Sequence, residues 1–422
     1  MNLAIALERW NPREAGSGRW PMHAACRLAA RGHRVTLLVG YQAPDTTPPT
    51  GLDYRLAPRP ATRPYPGPQR YAAWVKSQFA SLRAQASGRD APLLTLAFVS
   101  VVAADVVHPW RGALAQQLAQ VAAPPPRARQ TWASRLGHFL HTARDPARPH
   151  RRTLAELERQ MTGDAALGKV AALTAEMAAQ WRRHYALPAE KVVMLPPVAV
   201  AAGRLRVDAP AIRRRVRNGF GVAPDEVVYL FLSDEPARHG AAAVLTAFAQ
   251  VARQRTHVTL MLAGTAEYAW QVMAAELGVR EHVRMIGTTN QHDDLYAAAD
   301  VLVTAPPVDP LGAAVVEALG SGLPAITTAD DGAAALVLSK KDAPAGRVVA
   351  GPAGPEALAA AMLELADAHE RRRAAAAAES LRPQLTMDHH LDALEALLAE
   401  VGVPAGRRSS PAKAGPPGAT PF

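Results

Sequence analysis

The apolar positions of this chain fall into short continuous runs separated by polar, helix-length stretches. The first of them read strand, glycine loop, helix, strand: LAIAL (3–7), ERWNPREAGSG (8–18), RWPMHAACRLAARG (19–32) and HRVTLLVG (33–40). A run that is apolar at every position suits a strand buried on both faces, and a helix closing at a glycine brings the chain back for a parallel neighbour. Runs at DYRLAP (53–58), LLTLAFVS (93–100), ADVVH (104–108), AALTA (171–175) and VVMLPP (192–197) extend the series. The Arg- and Pro-rich region 124–153 is expected to be a loop with a partial helix.

After residue 197 the pattern restarts. A basic helix is expected over 203–219, then EVVYLFLS (226–233), a helix at 240–253, VTLMLAG (258–264), a helix at 266–278, VRMIG (283–287), a helix at 291–298 and DVLVTAP (300–306). Strands alternating with helices at this spacing predict two doubly wound parallel-sheet domains of the α/β class. Helices at 355–367 and 388–401 precede a tail rich in Pro, Gly, Ala and Ser, which reads as disordered. The domain boundaries expected from this pattern are 1–198, 199–384, a C-terminal helix at 385–403 returning to the first domain, and the tail 404–422.

Length and composition agree with two cores: 422 residues, 49% of them apolar, exceed what one core usually serves. The low aromatic share, 5%, and the heavy use of Ala, Arg and Pro fit a bacterial chain from GC-rich coding, which accounts for basicity as well as function does. The net charge of +10 is nevertheless uneven. Residues 127–159 hold eight Arg against three acidic residues, residues 204–217 six Arg against Asp208, and the tail adds Arg407, Arg408 and Lys413, leaving the remainder slightly acidic. Such local charge suits an anionic membrane surface, a phosphorylated substrate or nucleic acid, or is simply a solvated face. The Arg-rich segments lack interleaved aromatics, which argues against nucleic acid.

The single cysteine, Cys26, excludes an internal disulfide, and no zinc-ligand spacing is present. The adjacent histidines of MDHH (387–390) point to different helix faces, so no metal is assigned. Glu8 and Arg9 follow the first strand too soon for a signal-peptide core, and the longest uncharged apolar run, about 91–104, is too short for a bilayer. A cytosolic protein is expected, touching the membrane at most from inside.

The chemistry concentrates in DPLGAAVVEALGSGLP (309–324). Asp309 and Pro310 read as N-cap and first helical residue, with the helix ending near Leu319. A helix N-terminus beyond the carboxyl end of a parallel strand presents free N–H groups and partial positive charge to phosphate. Leu311 and Gly312 lie in that first turn, and a glycine lets a phosphorylated ligand approach the backbone. Glu317 falls among apolar neighbours, where a carboxylate needs a partner: a ligand hydroxyl, an Arg or a backbone N–H.

This stretch resembles the donor-site motif of family 4 glycosyltransferases, in which an acidic residue precedes seven others and then Glu. LSDEPARHG (232–240) is similar to the turn and basic pair of the branch containing lipopolysaccharide core glucosyltransferase I. The similarity runs from residue 1 to about 402 and is strongest over 190–335. It implies a GT-B architecture, two Rossmann-like domains facing a cleft, and retaining transfer of a sugar from a nucleotide-sugar donor, UDP-linked, to a glycan or lipid-linked saccharide. It implies Glu317 on the nucleotide ribose, Asp309 on the donor sugar, and Arg238 and His239 on the diphosphate.

Two positions depart from the family. Asp309 is one methylene shorter than the usual Glu, which leaves helix capping as its alternative role. His239 replaces the usual Lys, so its positive charge depends on protonation. A non-catalytic nucleotide-sugar-binding protein of the same fold is the alternative those departures leave open. The resemblance further implies that Gly16 and Gly18 approach the donor phosphate, that His108 and Arg111 face the acceptor or cleft, that no metal is needed, and that 127–159 serves an anionic membrane or acceptor. A monomer without nucleic-acid partners completes the expectation.

Overall fold

The computed structural model describes residues 1–12, 16–59, 65–87, 92–100, 102–109, 112–116, 118, 148–200, 208–340, 342–351 and 354–402. Arg111, residues 127–147 and the tail beyond 402, singled out above, lie outside them. The chain packs into two units. The first holds Met1–Pro12, Pro21–Leu195 and the described residues from Leu394 on. The second holds Pro196–Ala393 with the short stretch up to Trp20.

The first unit is built on a seven-stranded, all-parallel sheet in the order β3-β2-β1-β4-β5-β6-β7. These strands are β1 (Asn2–Trp10), β2 (Arg34–Gln42), β3 (Asp53–Leu56), β4 (Leu93–Ala97), β5 (Val106–Val107), β6 (Lys169–Ala172) and β7 (Val192–Met194). Leu3 to Leu7 of β1 are buried on both faces, as the unbroken apolar run requires. The helices are α1 (Trp20–Ala30), α2 (Pro68–Ala86), α3 (Arg148–Gly163) and α4 (Ala175–Tyr185). No element was expected over α2; it docks through Tyr71, Val75, Phe79 and Leu82, and the Tyr71 hydroxyl reaches the carbonyls of Leu7 and Leu38 at 2.6 and 3.0 Å. From Arg148 on, the basic region is a regular helix, in keeping with the partial helix expected within 124–153.

The second unit is a six-stranded parallel sheet ordered β10-β9-β8-β11-β12-β13. Its strands are β8 (Val227–Ser233), β9 (Val258–Gly264), β10 (Val283–Gly287), β11 (Val301–Val303), β12 (Ala325–Thr328) and β13 (Gly346–Val349). Side chains alternate between two cores: Val227, Tyr229 and Phe231 of β8 join one, Val228 and Leu230 the other. The helices are α5 (Ala209–Gly219), α6 (Ala241–Ala252), α7 (Glu267–Glu276), α8 (His292–Ala298), α9 (Ala313–Gly320), α10 (Ala334–Val337), α11 (Pro355–Ala366), α12 (Ala368–Leu381) and α13 (Met387–Gly402).

The basic run of α5 does not present a bare cationic face. Arg213 and Arg217 clasp the two carboxylate oxygens of Asp300 at 2.6 Å each, and Arg215 pairs with Asp294 at 2.6 Å. At the C-terminal end, Glu395 of α13 receives Arg31 at 3.0 Å and His33 at 2.8 Å, fastening that part of the helix to the first unit. Among the described residues no helix is long and apolar enough to cross a membrane.

His390 of α13 is fully buried in the second unit; its Nδ1 bonds the Pro196 carbonyl at 2.6 Å and its ring meets Trp20 edge-on. Burial drives its pKa down to about 4, the carbonyl bond opposing and His389 adding a little. An unfolded chain takes up this proton near pH 6.5, so the contribution of a neutral His390 is complete above that pH and is lost as pH falls toward about 4, roughly 3 kcal/mol over the interval. Urea unfolding at about pH 7 and pH 4.5 checks this: His390→Asn should unfold with a distinctly shallower acid dependence than the unsubstituted chain.

Candidate functional site

The loops after β8, β11 and β12 meet at the carboxyl ends of three adjacent strands. The loop after β8 ends at Gly240, whose φ is +83°; a Cβ there would lie 2.2 Å from the Ala305 carbonyl oxygen, so a glycine is needed for the two loops to touch. The contact is completed by Ala305 N–H donating to the His239 carbonyl at 3.0 Å and by the Thr304 hydroxyl at 3.3 Å.

The same turn fixes the basic pair. Arg238 donates through Nε to Glu235 at 2.8 Å, and its Nη2 lies 3.3 Å from His239 Nε2. His239 Nδ1 bonds the hydroxyl of Ser233, which also accepts from Glu235 N–H at 2.9 Å. With Nδ1 held by Ser233, Nε2 faces Asp309 Oδ2 at 3.5 Å. Arg238, His239 and Asp309, 70 residues apart in sequence, thus form one cluster.

Asp309 is not the N-cap of α9. Its Oδ1 accepts Leu311 N–H at 3.1 Å, an Asx turn two residues long, and Gly312, at φ +65°, is the residue that caps the helix. The reason is steric: the chain must pass over Asp331, and only a glycine in the left-handed region lets it do so. Burial opposes ionisation of Asp309, but the bond and charge of His239, the Gly312 N–H and Arg238 outweigh it and hold the carboxyl below its usual range.

Glu317 is buried within α9, and Oε1 accepts Val200 N–H at 3.1 Å, the backbone partner that was one of the three alternatives. Leu311, just before the Gly312 cap, is buried.

Gly16 and Gly18 lie in a single 3-10 turn, Gly16–Arg19, and Arg19 grips Asp293 of α8 at 3.0 and 3.2 Å. His108, at the end of β5 in the first unit, is fully buried, its ring 5.7 Å from that of Phe98. Ser233, Glu235 and Asp331 escaped the sequence reading. A serine or acid inside a turn-forming stretch looks like turn chemistry, and nothing in the sequence distinguished these from the rest.

Chemically, the cluster joins a guanidinium, an imidazole and the free N–H groups of α9 beside one ionised carboxyl. That arrangement suits a polyanionic ligand bearing hydroxyls.

Residues 213–380 match the family described as glycosyl transferases group 1. Over 209 residues the chain is 28% identical to the lipopolysaccharide glucosyltransferase WaaG of Escherichia coli (strain K12), a match covering 49% of this chain and 55% of that protein. The alignment thus spans little more than half the length of the curated relative. In three dimensions the chain is similar to the crystal structure of WaaG, a glycosyltransferase involved in lipopolysaccharide biosynthesis, with TM-score 0.70, 22% identity and coverage of 94% and 99% of the two chains. It is also similar to Anabaena Alr3699/HepE in complex with UDP and glucose, with TM-score 0.62, 14% identity and coverage of 94% and 99%. The fold is therefore that of the GT-B structures, two parallel-sheet α/β domains.

Proposed function

We propose that this chain, with a group 1 glycosyl transferase domain over residues 213–380, is a glycosyltransferase that moves a sugar from a UDP-sugar to a hydroxyl of a glycan or lipid-linked saccharide, with retention of configuration. The observation that carries the reading is the convergence of Arg238, His239 and Asp309 on the N-terminal turn of α9. In this reading residues 199–384 are the donor domain and 1–198 the acceptor domain.

Each group has a task. Arg238, held by Glu235, supplies a permanent charge to the departing diphosphate, and His239 stands beside it as the second group of the basic pair. The N–H groups of the first turn of α9, from Ala313 on, meet the same oxygens just beyond the Leu311–Gly312 turn, while Glu317 takes the ribose hydroxyls. Asp309 receives a sugar hydroxyl beside His239. Retention follows from departure and attack on one face of the sugar, and no side chain is assigned as nucleophile. Gly16 and Gly18 flank the phosphate, and His108 and Arg111 belong to the acceptor side. The basic segment 127–159 holds the enzyme, acting as a monomer without a metal, against the inner face of an anionic membrane. The nucleotide is taken as UDP because HepE was crystallised with UDP, and the envelope saccharide because WaaG acts in lipopolysaccharide biosynthesis.

A second reading, binding without turnover, is favoured by one observation: both Asp309 oxygens already have protein partners, Leu311 N–H and His239. A thermal-shift series with UDP, GDP and ADP, followed by donor turnover assays, separates the two. UDP should raise the melting temperature of the chain and not of Glu317→Ala, since the missing carboxylate removes the ribose acceptor. Turnover of a UDP-sugar supports the enzyme, UDP binding without turnover supports the second reading, and no shift with any nucleotide overturns both.

A further inference from the structure

Asp331 lies in the turn after β12, is 4% exposed, and sits under the site. Its Oδ2 is 2.7 Å from the Thr327 hydroxyl, and its Oδ1 accepts Ala333 N–H at 2.8 Å. The same Oδ1 lies so close under Gly312 that a Cβ there would be 1.9 Å away. The backbones are joined as well: Gly332 N–H donates to the Asp309 carbonyl at 2.6 Å, and Asp309 N–H to the Asp330 carbonyl at 3.1 Å. Residues 309–312 and 330–333 are thus one hydrogen-bonded body with three carboxyls, of which Asp330 is exposed and Asp309 and Asp331 are largely shielded from water.

We propose that Asp331 is a positioning residue of this site, a carboxylic acid that seats the Asp309–Gly312 turn while neutral and closes the site to diphosphate when it ionises. Two buried carboxyls on paired segments cannot easily both carry charge. The competition is unequal. Asp309 has His239 at 3.5 Å and Arg238 behind it, whereas the donors to Asp331 among the described residues are uncharged, Thr327 and Ala333. The charge therefore settles on Asp309 and the proton on Asp331. Burial, and then the Asp309 charge, raise the Asp331 carboxyl well above the ordinary carboxylate range, the Thr327 and Ala333 bonds only partly opposing.

The titratable groups that face Asp331 are Asp309 from the turn before α9, with Arg238 and His239 from the loop after β8 acting through it, and Asp330 from its own turn. Asp330 is directed at Gly351, where a Cβ would be 2.0 Å from its Oδ2. Loss of the Asp331 proton to solvent places a second negative charge directly beneath the first N–H groups of α9. There it cancels the helix field that receives an anion.

The inference rests on the donor reading for its ligand, but its proton can be tested without one. Calorimetric titration with UDP from about pH 7 to about pH 8.5 stays above the last phosphate ionisation and below that of the uracil N3–H. Over it the full chain should lose affinity several-fold, by the size of a new charge at this range. Asp331→Asn, whose Oδ1 still accepts Ala333 N–H and whose NH2 turns the Thr327 hydroxyl from donor to acceptor, should keep the affinity seen near pH 7 and lose the alkaline fall. Asp331→Ala should bind weakly throughout, because nothing seats the turn.

Thermal unfolding without nucleotide reads the same proton. The unfolded carboxyl ionises at about 3.9 and the folded one only at about 8, so stability is lost as pH rises between those values and no further beyond them, and the Asn variant should gain melting temperature relative to the unsubstituted chain from about pH 5 to about pH 8. If that difference grows with pH while UDP fails to bind, the donor reading falls and the role of Asp331 as a proton holder stands. If the difference is flat, or the Asn variant keeps the full alkaline fall in UDP affinity, the inference is overturned.

Discussion

Arg238→Ala should turn over a UDP-sugar about 10²–10³-fold more slowly than the unsubstituted chain, the loss typical of removing one fixed donor from a developing negative charge. Arg238 is part exposed, so its removal leaves no buried hole and little stability is at stake. What is lost is direction: Glu235 clamps Nε at 2.8 Å and so aims the rest of the guanidinium. Arg238→Lys should recover only part of the rate, because an ammonium restores the charge without the fork. Steady-state kinetics at saturating acceptor decide this. A loss confined to KM would mean that Arg238 holds the donor without stabilising the departing diphosphate, and an unchanged kcat/KM would remove it from the site.

Asp300→Ala should cost about 3–5 kcal/mol of folding stability, the range for stripping one partner from a buried ion pair. Asp300 accepts from Arg213, Arg217 and the Val228 N–H at 2.6, 2.6 and 2.7 Å. Arg217 is 3% exposed and also donates to the carbonyls of Ala298 and Glu226 at 2.9 Å. Burial pulls its pKa down, and Asp300 is first among the groups holding it charged. Without that carboxylate a guanidinium remains in the interior beside a second cation. Urea denaturation should show the full loss in the Ala variant and a smaller one in Asp300→Asn. A change below about 1 kcal/mol would mean that water reaches Arg217, leaving only the cost of a surface pair.

Much of the fold could be read from period alone, where burial on both faces forces it. VVYLFLS and VTLMLAG have no charged position and are almost wholly apolar because neighbouring side chains enter opposite cores. Helix α2 escaped because its stripe of Tyr71, Val75, Phe79 and Leu82 is interrupted by Arg70, Lys76, Gln78 and Arg83, and it opens on a proline at a glycine. Strand β13 escaped because GRVV is four residues long and half covered. The basic run of α5 misled in another way. Its charges read as a surface, but their partners Asp300 and Asp294 lie about 80 residues on, and only the sheet order brings them back.

The site was legible in its parts and not in its assembly. Glu317 and the basic pair stood out through their motif. Asp309 was misplaced as a helix cap because Asp-Pro is so common a start, whereas the cap fell to Gly312. That outcome depends on Asp331, 19 residues beyond Gly312 and in a different loop, which no local rule could link to it.

Gly312 and Asp331 consequently form a single unit of heredity. A lineage cannot add a side chain at 312 without first shortening 331, and shortening 331 alone removes the floor on which the turn rests. Drift at either position is closed off by the other, so exchanges here should arise in pairs, and an engineer who wishes to reshape this end of α9 must redesign both loops in one step.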